Sequence, residues 1–99
     1  MKEIKISQFD PAKYLNDDES QQEYLKLSIE SGDEKELIEA LNTIARAKGI
    51  SQLAKDTGLG RESLYKTLSG NVEPKLSTLQ RIATGLGFEL TLTLTPRNL

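Results

Sequence analysis

Glycine residues divide the middle of this chain into short segments, and this constrains the fold more than any other feature of the sequence. In the stretch ISQLAKDTGLGRESLYKTLSG, residues 51–57 run to Gly58 and residues 61–68 run to Ser69-Gly70. Glycine adopts the positive φ that commonly ends a helix, whereas other residues do so at a cost. The pattern therefore predicts two short helices joined by a tight turn.

The spacing of small and apolar residues in this stretch is typical of a helix-turn-helix. Ala54 is expected where two helices cross closely, Gly58 at the turn, and Leu64 as the inward anchor of the second helix. Leu68 lies one turn after Leu64 and continues the apolar face. In a helix-turn-helix the second helix enters the major groove of DNA, and the alternative is an ordinary helical hairpin with a solvated polar face.

The charged residues are distributed unevenly along the chain. Residues 1–43 contain five Lys or Arg against eleven Asp or Glu, a balance of −6. Residues 44–85 contain seven Lys or Arg against three acids, a balance of +4, and the whole chain carries −2. An acidic first part and a basic second part indicate two surfaces with different partners, with chance fluctuation in a short chain as the alternative.

Capping signals predict further helices on both sides of this pair. Asp, Asn and Ser side chains accept hydrogen bonds from the first backbone N–H groups of a helix, and proline is tolerated in the first turn. Apolar residues at helical spacing follow each signal. The predicted starts are Asp10-Pro11, Asn16 with Glu19, Asp33 with Glu36, and Ser77 with Gln80.

Two segments with period-two alternation predict β-strands. Residues 2–6 (KEIKI) place two isoleucines on one face, and residues 89–95 alternate leucine with threonine before Pro96. A single strand leaves its backbone groups unpaired, so each of these needs a partner. The tail is expected to pair with residues 3–6, with the same strand of a second subunit, or with both.

Composition argues against several classes of function. The chain has no cysteine and no histidine, which removes disulfides, thiolate metal sites and the commonest general base. We expect no enzyme activity, no catalytic residues, no cofactor and no metal, because no nucleophile–base pair or ligand cluster is visible. No apolar run reaches the roughly 20 residues of a membrane span, and no signal peptide is recognisable, so the expected location is cytoplasmic.

The segments GISQLAKDTGLGRESLYKTLSGN and PKLSTLQRIATGLG resemble the Xre-type, phage-repressor-like helix-turn-helix. More narrowly, together with FDPAKYLNDDESQQEYL, they resemble the addiction-module antidote proteins, the antitoxins of toxin–antitoxin pairs. This resemblance implies a homodimer that represses its own operon and neutralises a co-expressed toxin. It also implies that the toxin is a small basic protein with a RelE/ParE-like fold, which would suit the acidic residues 1–43.

The expected fold class is mainly α, a phage-repressor-like helix-turn-helix bundle of about five or six short helices with an N-terminal and a C-terminal strand. Residues 1–32 are the candidate toxin-binding region, and residues 33–88 form the DNA-binding core. Residues 89–99 are the candidate dimerisation element. The alternatives are a stand-alone Xre-type repressor without a toxin, and a protein-interaction module that binds no DNA.

Position in the second helix of the pair suggests roles for individual residues at operator DNA. Arg61 and Lys66 are expected at base edges, with Glu62 accepting from a cytosine amino group or simply complementing the helix dipole. Tyr65 is expected at a phosphate or a thymine methyl, or else packed over the helix that begins at Ser77. The full predicted set is Gln52, Lys55, Arg61, Glu62, Ser63, Tyr65, Lys66, Asn71, Lys75 and Ser77.

Overall fold

The computed structural model describes residues 10–98, and these residues contain only helices as regular structure. A 3₁₀ turn, Pro11–Tyr14, precedes the five α-helices. None of the helices in residues 10–98 is long and apolar enough to cross a membrane. The α-helices are α1 (Asp18–Glu30), α2 (Glu34–Lys48), α3 (Ile50–Thr57), α4 (Arg61–Thr67) and α5 (Leu76–Gly85). The prediction of a mainly α fold is therefore confirmed.

The helices begin close to the predicted positions, but two of the predicted caps are wrong. The N-cap of α1 is Asp17, not Asn16, and its carboxylate accepts a 2.7 Å hydrogen bond from the Ser20 backbone N–H. Helix α5 begins one residue before Ser77, and no side chain caps it. The carboxylate of Asp33 does cap α2, as the sequence indicates. Neighbouring polar residues offer alternative caps, so pattern alone places a helix start only to within a residue or two.

Helix α2 contributes most to the interior and contacts both α1 and α3, while α5 packs on α3. The apolar residues of α2 recur at helical spacing and form one buried stripe, with charged residues on the other side of the helix. Burying this stripe against the neighbouring helices provides the main favourable contribution to folding. The buried cluster comprises Leu25, Ala40, Leu41, Ile44, Ala45, Ile50, Leu53, Leu64, Leu68, Ile82 and Leu86.

The predicted C-terminal strand is wrong. Residues 88–98 contain no strand, and Leu92 and Leu94 expose 65% and 98% of their surface. Phe88, which directly precedes the predicted strand, packs against the core. Its backbone N–H donates to the Ala83 carbonyl oxygen at 2.8 Å. Period-two alternation produces a strand only where a second strand pairs with it, and residues 10–98 offer none. The predicted strand at residues 2–6 lies outside the described residues.

Candidate nucleic-acid interface

Helices α3 and α4 are joined by a three-residue turn, residues 58–60, which follows from the glycine at its start. Gly58 has φ +75°, in the left-handed region, and its N–H donates to the Ala54 carbonyl oxygen at 2.9 Å. The Thr57 hydroxyl donates to the Leu53 carbonyl oxygen at 2.8 Å and accepts from the Leu59 N–H at 3.2 Å. These bonds satisfy backbone groups that the short helix would otherwise leave unpaired.

Helix α4 is held by two buried leucines and exposes its remaining polar surface. Leu64 is completely buried and Leu68 nearly so, as the sequence predicts for inward anchors. Ser63 lies on the exposed side, whereas Thr67 is half-buried. The exposed side chains of α4 are Arg61, Glu62, Ser63, Tyr65 and Lys66, all of which belong to the predicted DNA-binding set.

The two predicted site residues of α3 are also exposed, but one of them, Gln52, already forms a side-chain hydrogen bond. Gln52 donates from its amide nitrogen to the Asp56 carboxylate at 2.9 Å, across one helical turn. Lys55 is exposed and forms no ion pair among the described residues. The structure therefore leaves Lys55 available to a ligand, whereas Gln52 must exchange its bond to Asp56 before it contacts one.

The remaining predicted residues follow α4 in the connection to α5 and in its first turn. Asn71, Lys75 and Ser77 are all exposed. Since no side chain caps α5, its first N–H groups have no side-chain acceptor. The residues that precede and begin α5 thus provide hydrogen-bond donors and one cation, which suit contact with an anionic backbone.

Two residues of α5 that position the turn could not be identified from the sequence. Arg81 donates a hydrogen bond from its guanidinium to the carbonyl oxygen of Thr57, the last residue of α3. Gly85 lies so close to α3 that a Cβ there would come 2.8 Å from Leu53 Cδ1. Neither role has a local sequence signal, because each depends on a contact with a residue far away along the chain.

The two ion pairs among the described residues both join α2 to the acidic N-terminal part. Arg46 pairs with Asp10 at 2.5 Å and Lys48 with Asp18 at 3.3 Å. The hydrogen bond from Arg46 and a second one from a backbone N–H hold the pKa of Asp10 below its ordinary value. Arg46 and Lys48 near the end of α2 are thus already paired, whereas the cations of α3, α4 and the start of α5 form no ion pair among residues 10–98: Lys55, Arg61, Lys66 and Lys75.

These observations define a class, a small helical protein with unpaired cations on one helix pair and an excess of acidic residues in the part of the chain before it. The family model described as "probable addiction module antidote protein" matches residues 5–94. An uncharacterized protein of Haemophilus influenzae (strain Rd) is 36% identical over 84 residues, covering 85% of this chain and 87% of the relative. No solved structure matches the chain. The chain belongs to the family of probable addiction module antidote proteins.

Membership of this family supports an antitoxin role and implies a toxin as partner. It agrees with the narrower of the two resemblances in the sequence, the one to antidote proteins.

Proposed function

We propose that this protein is an antitoxin that also binds its own operator DNA as a homodimer and represses transcription. The proposal rests on the exposed polar face of α4. The completely buried Leu64 packs the opposite side of this helix into the core. Helix α4 lies in the part of the chain with excess positive charge, and the chain belongs to an antidote family. An operator as ligand implies action in the cytoplasm, and binding of this kind requires no cofactor, metal or catalytic residue.

In the proposed complex, α3–turn–α4 acts as a helix-turn-helix and α4 lies in the major groove. Arg61 and Lys66 stand five residues apart on the exposed side of α4, and both side chains donate to guanine O6 and N7. Glu62 between them accepts from a cytosine amino group or orients Arg61. Tyr65 keeps 51% of its surface exposed, which favours contact with DNA over packing on α5.

Contacts to the phosphate backbone would set the position of α4 in the groove. Lys55, Asn71, Lys75 and Ser77 flank α4 on the preceding helix and on the connection to α5. Phosphate contacts add affinity and salt dependence but carry no direct sequence information. One helix of seven residues makes few base contacts, so two copies reading two half-sites about one helical turn apart are proposed.

The toxin is proposed to be a small basic protein of the RelE/ParE-like type. Residues 10–43 carry ten acids against three lysines, and this excess suits a basic surface. A stand-alone repressor would share the α4 surface, but it gives no reason for an acidic half or for membership of an antidote family.

The test of DNA binding is a mobility shift on the DNA upstream of this chain's own gene, across a series of salt concentrations. Arg61→Ala is expected to weaken specific binding by about 1–3 kcal/mol and to relax the preference for the operator over unrelated DNA. Lys75→Ala is expected to weaken binding to all DNA sequences alike. It should also lower the slope of log affinity against log salt concentration by about 1. Lys26→Ala is the matched control, because this exposed lysine lies on the acidic helix α1.

No shift at low salt would contradict the DNA-binding part of the proposal and leave a protein-interaction module. Equal and salt-insensitive losses in Arg61→Ala and Lys75→Ala would contradict the assignment of these two residues. The antitoxin part is tested separately, by co-purification of this chain with the product of the adjoining reading frame. Failure of that product to bind would leave only the stand-alone repressor.

A further inference from the structure

Helix α1 leaves two large aliphatic side chains exposed near its C-terminal end. Leu27 and Ile29 expose 59% and 56% of their surface, although α1 is anchored to the core by the buried Leu25. Isolated apolar side chains on a surface are common, but adjacent ones that line clefts mark contact sites. Leu27 and Ile29 each line a cleft between α1 and α2.

Two shallow clefts lie along the junction of α1 and α2, and Ser28 lines both of them. One, of about 260 Å³, has Tyr24 and Leu27 on its α1 side. The other, of about 230 Å³, lies toward the connection between the helices and is lined by Ile29 and Leu37. Leu27 and Ile29 are two residues apart on α1 and therefore lie on opposite sides of Ser28. The two clefts that flank Ser28 are here together called the α1–α2 groove.

Carboxylates line the α2 side of the same groove. Glu36 and Glu39 line the first cleft, and Asp33 and Glu34 line the second. All four are exposed, and none of them forms an ion pair among residues 10–98. Each cleft therefore combines apolar side chains with carboxylates that no ion pair neutralises, which is the arrangement of an interface core and its charged rim.

We infer that the α1–α2 groove is the surface that binds the toxin, with apolar side chains of a basic partner seated against Leu27 in one cleft and against Ile29 in the other. This inference rests on the proposed antitoxin function and adds the place and the chemistry of the contact. Lysine or arginine side chains of the partner pair with Glu36, Glu39 and Glu34 around these apolar contacts. Complementary charge of this kind accelerates encounter and excludes partners of the wrong sign.

The same charges argue against the other occupants. A second copy of this chain would bring two sets of carboxylates together, and a DNA phosphate backbone would be repelled. The tail, residues 89–98, holds one acid and one arginine and so offers no excess of positive charge to pair with these carboxylates. A basic protein is the occupant that satisfies both the apolar side chains and the carboxylates of the two clefts.

The probe for the test is the product of the reading frame that adjoins this chain's gene, purified and titrated into the full-length chain by calorimetry. The double variant Leu27→Gln/Ile29→Gln is expected to weaken binding about tenfold or more, since buried anchors dominate interface energetics. Glu36→Gln/Glu39→Gln is expected to slow association and to reduce its dependence on salt. The matched control, Leu76→Gln, changes an exposed leucine at the start of α5, outside the groove, and should leave the affinity for the toxin unchanged.

The outcomes separate this inference from the proposed function. If the unaltered chain binds the toxin and Leu27→Gln/Ile29→Gln binds it equally well, the groove is not the contact and the inference alone is overturned. If the unaltered chain does not bind, both the antitoxin function and the inference fail. Loss of self-association or of operator binding in the groove variants, with toxin affinity unchanged, would identify a different occupant and would also overturn the inference. Loss of toxin affinity alone, with operator binding kept, is the supporting result.

Discussion

Gly85 of α5 lies directly against Thr57 of α3: a Cβ built on the glycine would come only 2.7 Å from Thr57 Cγ2. The Thr57 side chain has little freedom to move away, because its hydroxyl donates to the Leu53 carbonyl oxygen. Leu53, whose Cδ1 would lie 2.8 Å from the same Cβ, is buried. The close approach of α5 to α3 therefore requires a residue without a side chain at position 85.

Gly85→Ala is expected to destabilise the protein despite the better helix propensity of alanine. Forcing an extra methyl group into a packed contact costs about 1–3 kcal/mol, and the gain in propensity offsets at most about 1 kcal/mol. The free energy of unfolding in urea measures the net loss. Gly60→Ala is the matched control, because a Cβ on Gly60 meets nothing within 4 Å and its φ is −70°. Equal stability of the two variants would contradict the close contact.

Leu64 and Tyr65 are neighbours on α4 with opposite roles, and their alanine variants should behave oppositely. Leu64 is completely buried, so Leu64→Ala is expected to lower the free energy of unfolding by about 2–5 kcal/mol. Tyr65 is half-exposed, so Tyr65→Ala should change stability by no more than about 0.5 kcal/mol while weakening operator binding. Urea denaturation and a mobility shift on the same preparations measure the two effects. A large loss of stability in Tyr65→Ala would show that the ring packs on the protein instead.

The helices of this protein were predictable because their signals are local. The glycine after each short helix, the Asp33 cap and the apolar spacing of Leu64 and Leu68 all act within a few residues of the structure that they determine. The exposed residues of α4 followed from the same spacing, since the anchor leucines decide which side of the helix faces outward.

Features that depend on contacts distant in sequence were not predictable in this way. The alternation in residues 89–95 predicted a strand that does not form, because pairing depends on a partner that the pattern does not supply. Likewise, the hydrogen bond from Arg81 to Thr57 joins residues 24 positions apart. The α1–α2 groove has the same character, because Leu27 and Glu39 become neighbours only when α1 packs on α2.

The hydrogen bond between Arg46 and Asp10 predicts a specific effect of pH. The pKa of Asp10 lies below its ordinary value of 3.8 in the folded protein, chiefly because Arg46 donates to the carboxylate and also because the Ala12 N–H does. A lowered folded pKa means that the interaction stabilises the fold above pH 3.8 and is lost as the pH falls through the lower value. Arg46→Met should therefore raise the pKa of Asp10 toward 3.8, as measured by carboxyl-carbon NMR titration.

Lys48→Met is the control for this titration, because Lys48 lies two residues from Arg46 and pairs with Asp18 instead. Its removal should leave the pKa of Asp10 nearly unchanged. An equal rise in both variants would show that general loss of positive charge, and not the specific bond from Arg46, sets the pKa.

The tail is expected to contribute to association and not to the stability of a single chain. Residues 91–98 are exposed, whereas Phe88 packs against the core, so deletion of residues 91–99 should change the unfolding free energy of the monomer by no more than about 0.5 kcal/mol. Phe88→Ala should cost about 1–3 kcal/mol in the same measurement.

If Leu92 and Leu94 form part of the proposed homodimer, the full chain should resist urea better as its concentration rises, since association stabilises only the folded state. The deleted chain should lose this dependence. Concentration dependence that survives the deletion would place the dimer contact elsewhere, and a large loss of stability at low concentration would show that the tail belongs to the core.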